Sequence, residues 1–88
     1  MTPQELKIIE VALQMNSEWQ ARTFQIVELS IALEIFKKLK TCVKDNIFIE
    51  WDPSFSSEEK VFIKKLIEEI KWTVLEGESV LSVLETIK

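Results

Sequence analysis

The chain has 88 residues, 47% of them apolar and 30% charged, with a formal net charge of −4, no histidine, no tyrosine, one glycine and one cysteine. Without histidine no side chain titrates near neutrality for general base work, one glycine cannot build a phosphate-cradling loop, and one cysteine cannot close an internal disulfide. No apolar run approaches the ~20 residues that span a bilayer, and no basic stretch followed by an apolar one opens the chain, so a single cytoplasmic domain over residues 1–88 is expected.

Between Pro3 and Pro53 there is neither glycine nor proline, and Gly77 is the one later breaker, so nearly everything can be helix. The expected fold is all-α: a small bundle of two or three long helices, organised as a helical arm over 3–44, an aromatic loop over 45–56 and a second helical arm over 57–88. A domain this small buries only somewhat over ~60% of the surface its unfolded chain exposes. Homodimerisation is therefore expected to complete the bundle.

The first arm starts at a capping box, with Thr2 before Pro3 and Glu5 three residues on. Its apolar residues up to Trp19 and those from Phe24 to Val43 project to different sides at 100° per residue. Two solutions remain open. In the preferred one the helix breaks near Asn16–Ser17, with Ser17 and Gln20 capping a new helix. In the other it continues as a rod of roughly 60 Å, which suits only a dimer. Lys37, Lys38, Lys40 and Lys44 close the arm and complement its dipole, and Cys42 reads as a small buried hydrophobe.

In the loop, Asp45–Asn46 reads as a helix exit, and Asp52–Pro53 disfavours helix before the proline. Ser56 with Glu59 forms a further capping box. Ile47, Phe48, Ile49, Trp51 and Phe55 either fold back to plug the bundle or face a partner. A strand over 47–51 has no sheet to join within the chain. In the second arm Phe62, Ile63, Leu66, Ile67, Ile70, Val74, Leu81 and Leu84 share one face. Gly77 either ends a segment, with Ser79 opening a short final one, or marks the close approach of another helix.

Trp72 projects to the centre of the otherwise polar face of that arm, in line with Val61 and Val83 and beside Leu75. A second apolar stripe means a second contact, supplied either by the N-terminal helix or by a partner. Val61, Trp72, Leu75 and Val83, with Phe48, Trp51 and Phe55 of the loop, are thus the candidate partner-binding residues.

Two rival functions follow from charge. Lys37, Lys38, Lys40, Lys44, Lys60, Lys64 and Lys65, with Lys71, would meet at one end if the arms are antiparallel and hold nucleic acid. Asp45, Glu50, Asp52, Glu58, Glu59, Glu68 and Glu69 occupy that same end and cancel most of the field, which disfavours phosphate binding. A carboxylate-dependent metal enzyme assembled across a dimer interface would draw on Glu10 and Glu28. Yet no two acids lie three or four residues apart, the spacing that puts two carboxylates on one helix face. The preferred reading is a non-enzymatic protein–protein interaction module, a small regulator, adaptor or inhibitor. It needs no cofactor and no membrane, and its partners are a second copy of itself and another protein.

Overall fold

The computed structural model describes residues 1–20 and 26–88 of the backbone, and the side chains of residues 1–15 and 28–88. Helix α1 runs from Pro3 to Gln20. Its start is fixed as the capping box requires: Glu5 N–H donates to Thr2 Oγ1 at 3.3 Å, and Thr2 N–H donates to Glu5 Oε1 at 3.0 Å. Leu6, Ile9 and Leu13, with Ile8 and Ala12, recur at three- and four-residue steps and are all buried. The helix passes through Asn16–Ser17 without a break, so Ser17 is no cap. Helix α2 is a separate element from Ile26 to Lys40. Residues 21–25, between the two, lie outside the described residues.

The first arm also ends earlier than expected. After Lys40 the chain turns tightly, with Cys42 N–H donating to the Leu39 carbonyl at 2.9 Å. It then enters a hairpin of β1 (Val43–Lys44) and β2 (Ile47–Phe48), paired antiparallel with Val43 opposite Phe48 and Lys44 opposite Ile47. Asp45 and Asn46 are not a helix exit. Both have positive φ, 53° and 65°, which makes them the two central residues of a type I′ turn. Asparagine and aspartate tolerate that backbone because their side chains can bond locally. Residues 47–48 therefore do find a strand to join, four residues upstream. Ile49 N–H donates to the Cys42 carbonyl at 2.9 Å and extends the ladder, while Met1 and Trp51 exchange backbone hydrogen bonds of 2.9 and 3.3 Å.

The second arm is two helices. Helix α3 (Ser57–Glu68) opens at the expected Ser56–Glu59 capping box and buries Phe62, Ile63, Leu66 and Ile67. Helix α4 (Val74–Thr86) opens at a second box made by Thr73 and Glu76. Between them the Trp72 indole N–H turns back to the Ile67 carbonyl at 3.0 Å. Gly77 therefore ends nothing: it sits inside the first turns of α4, and a Cβ built on it meets nothing within 4 Å. The expected single face also fails at Val74 and Leu81, which point outward, whereas Leu84 packs against the core.

Helix α1 packs against both α3 and α4, and α2 packs against α3 and α1. One continuous core results, centred on Leu6, Ile9, Ile35, Ile63, Leu66, Ile67 and Val83, with Cys42 fully enclosed. The radius of gyration is 12.3 Å and the longest extent 31 Å. That radius matches the about 12 Å expected of a compact chain of this length, so the 60 Å rod is excluded.

Candidate docking surfaces

The second stripe does not exist as a stripe. Thr73 caps a new helix, and the phase relation that aligned Trp72, Val61, Leu75 and Val83 is broken between α3 and α4. Val83 is fully buried in the core. Trp72 lies in the connection and is half-buried against that core. Leu75 is almost wholly exposed in the first turn of α4, and Val61 is 70% exposed on α3. Of the loop residues, Phe48 and Phe55 are half-buried against the core and plug the end of the bundle, whereas Ile47 and Trp51 are exposed.

Val61 does line a depression. Between α2 and α3 lies an open groove of about 420 Å³ whose floor is Ile31, Val61 and Phe62, with Ser57, Glu28, Glu58 and Lys65 around it. Glu28 and Lys65 close one side at 3.7 Å. A second cavity of about 390 Å³ sits where Met1, the loop and the end of α4 converge, lined by Asp52, Ser54, Phe55, Lys60, Thr86 and Ile87.

Three of the seven candidate lysines are already in ion pairs. Lys38 is held by Glu59 and by the Ser54 carbonyl, Lys37 pairs with Glu34 at 3.3 Å, and Lys65 pairs with Glu28. Lys40, Lys44, Lys60 and Lys64 make no ion pair among the described residues. Glu10 and Glu28, the acids considered for chemistry, are half-buried at the rim and bound to Lys7 and Lys65. Among the described residues no group of three or more cysteine, aspartate or glutamate side chains can hold a metal ion.

Three carboxyls have perturbed affinities for the proton, each for a structural reason. Burial of Glu5 opposes its ionisation, but hydrogen bonds from the Thr86 hydroxyl, from the Thr2 backbone and hydroxyl and from Ser82 outweigh it and hold the carboxyl below the ordinary range. The Thr86 hydroxyl lies 2.6 Å from Glu5 Oε2 and so pins the end of α4 to the start of α1. Burial likewise opposes ionisation of Glu59, and is outweighed by Lys38 and the Ser56 backbone and hydroxyl. Glu76 is lowered by the Thr73 backbone N–H and hydroxyl. All three are capping glutamates, which is a structural use of charge.

Four exposed apolar residues escape the sequence reasoning. Leu29 and Leu33, four apart on α2, were assigned to neither face, and Val74 and Leu81 were assigned to the core; all four are exposed. The available signal was the T-x-x-E pattern at Thr73–Glu76, which resets the helical phase and turns those last two outward. No helix among the described residues is long and apolar enough to cross a membrane. Comparison with protein-family models, with curated proteins and with solved structures finds no match for this chain.

Proposed function

We propose that this chain is a non-enzymatic protein-binding module, a small regulator, adaptor or inhibitor in the cytoplasm, that holds its target in the groove between α2 and α3. The observation that carries the reading is the groove itself, an open apolar depression in which Val61 is 70% exposed beside the buried Phe62. Such a site takes the large side chains of a partner helix, and each one fully buried there contributes about 1.5–3 kcal/mol. The Glu28–Lys65 pair at its edge supplies both signs of charge for orientation, a role that rim charges perform better than they add affinity. The nucleic-acid reading is weakened by Lys38, which the buried Glu59 already holds. The carboxylate reading is weakened in the same way by the pairing of Glu10 and Glu28.

The test uses helical peptides selected from a random library on the intact protein, mapped by amide chemical-shift changes. The expected result is a set of shifts centred on Ile31, Val61 and Phe62, and at least about tenfold weaker binding to Val61→Asp, which corresponds to about 1.4 kcal/mol. Val61 is exposed, so thermal unfolding of that variant should stay within about 0.5 kcal/mol of wild type. Peptides that map elsewhere, or that bind the variant equally well, overturn the groove as the site.

A further inference from the structure

Two helices carry a second apolar strip that faces away from the core, and the two strips differ in charge. On α2, Leu29 and Leu33 are 42% and 61% exposed, and Lys37 and Lys40 continue the same strip at steps of four and seven from Leu33. On α4, Val74 is 97% and Leu81 64% exposed; Glu78 lies four after Val74 and Glu85 four after Leu81, again on one strip. Gly77 lies three residues after Val74 and four before Leu81. Its backbone needs no glycine, because its φ is not positive, and no atom of this chain occupies the space a Cβ would fill. A glycine with neither a conformational nor an internal packing reason, set between two exposed apolar residues, leaves a shallow seat in the surface of α4.

We propose that copies of this chain associate head to tail, with the outer strip of α2 on one copy seated on the outer strip of α4 on the next. Leu29 to Lys40 covers eleven helical steps, as does Val74 to Glu85, so two parallel helices that set Leu29 against Val74 bring Lys40 level with Glu85 and Leu33 level with Glu78, one residue past Gly77. Among parallel, in-register pairings charge selects the partner: strip α2 on strip α2 opposes lysine with lysine, strip α4 on strip α4 opposes glutamate with glutamate, and α2 on α4 sets Lys40 against Glu85. Lys37–Glu34 and Glu85–Lys88 are exposed pairs along single helices, and such pairs exchange partners at little cost. The two strips belong to different helices of one protomer, so each contact leaves one strip free at either end of the assembly. Association of this heterologous kind continues beyond the dimer. It is independent of the groove between α2 and α3.

The experiment is absolute mass by light scattering over a concentration series, for the wild-type chain, Leu33→Asp, Leu81→Lys and an equimolar mixture of the two variants. Both substitutions are at exposed positions, and circular dichroism checks that each variant is folded. The wild-type mass should rise past that of the dimer with concentration. Each variant alone should remain a monomer. The mixture should form a one-to-one dimer and stop there, because one variant keeps an intact α2 strip and the other an intact α4 strip. Val61→Asp should associate like the wild type, which separates this interface from the groove. A wild-type chain that stays monomeric or stops at the dimer overturns the proposal. So does a mixture that stays monomeric, or either variant associating alone as the wild type does.

Discussion

Glu59 is the residue on which the junction of α2, the loop and α3 depends, and its removal gives a sharp test. Its Oε1 accepts the Ser56 backbone N–H at 2.7 Å and the Lys38 ammonium, and Lys38 donates as well to the Ser54 carbonyl at 3.2 Å. Deleting the carboxylate in Glu59→Ala removes a charge-assisted hydrogen bond worth about 1.5–3 kcal/mol and half of a capping box worth about 0.5–1 kcal/mol. Orphaning a fully buried charge would cost about 3–5 kcal/mol, but the Lys38 side chain is 30% exposed and can turn toward water, so only part of that applies. The expected loss is about 2–3 kcal/mol for alanine and about 1–2 kcal/mol for glutamine, which keeps the bond to Ser56. Against a total stability of about 4–13 kcal/mol for a chain of this length, the alanine variant should melt about 10–20 °C lower. Urea unfolding followed by circular dichroism measures both variants. The pH dependence carries the second half of the argument. The Glu59 carboxyl is held below its ordinary 4.5 in the fold, so its contribution is complete above that value and disappears as the pH falls through the lowered one. The gap between wild type and Glu59→Gln should therefore narrow as the pH falls below 4.5. Variants within about 0.5 kcal/mol of wild type, or a gap unchanged in acid, would refute the assigned role.

Gly77→Ala should raise stability by about 0.5–1 kcal/mol in the same unfolding assay, since the backbone is helical and nothing crowds the added methyl. It should also weaken association in light scattering if the seat on α4 is used. Trp72→Phe should cost about 0.5–1.5 kcal/mol by calorimetry, through loss of the indole bond to the Ile67 carbonyl, and should leave binding at the groove unchanged. Leu66→Ala should cost about 2–5 kcal/mol in urea unfolding, because Leu66 is fully enclosed between α1 and α3. In native-state hydrogen exchange, the amides of α4 should exchange more slowly as protein concentration rises while those of α3 do not, because association on the α4 strip stabilises that helix selectively.

The parts of this fold that the sequence makes legible are those decided by local chemistry. The boxes at Thr2–Glu5 and Ser56–Glu59 start helices where they stand, and both glutamates prove to be buried and hydrogen-bonded. The face of Phe62, Ile63, Leu66 and Ile67 is core, and Cys42 is enclosed. Two mistakes share one cause, which is the extension of an apolar pattern across a local signal. At Thr73–Glu76 the capping pattern lost to the continuation of the α3 face through Val74 and Leu81, and the Trp72 stripe followed from that error. At Asp45–Asn46 a two-residue turn lost to helix propensity upstream, although these turn-forming residues are flanked by the strand formers Val43, Ile47 and Phe48. The break expected near Asn16–Ser17 from the phase mismatch does not occur there: the helix backbone continues to Gln20. The groove was legible only through Val61, since its depth depends on how α2 lies on α3.

Helix α4 shows why exposed apolar surface on this protein has meaning beyond ordinary surface composition. Its thirteen residues bury Val80 and Val83, and Ile87 just past its end, so few side chains hold it to the core. The rest of its attachment is polar: the Thr73–Glu76 box at its start and the Thr86 hydroxyl on Glu5 at its end. A cap is worth about 0.5–2 kcal/mol and a hydrogen bond to a charged group about 1.5–3 kcal/mol, so these contacts add to the buried side chains in fixing the helix. Val74, Leu75 and Leu81 contribute nothing to that attachment, and three exposed apolar side chains on one short helix of an acidic chain raise its tendency to associate. Polar substitutions at those positions would not disturb the caps or the core. Folding therefore does not account for their apolar character, whereas a contact made by the outer face of α4 does, and the open space beside Gly77 lies on that same face.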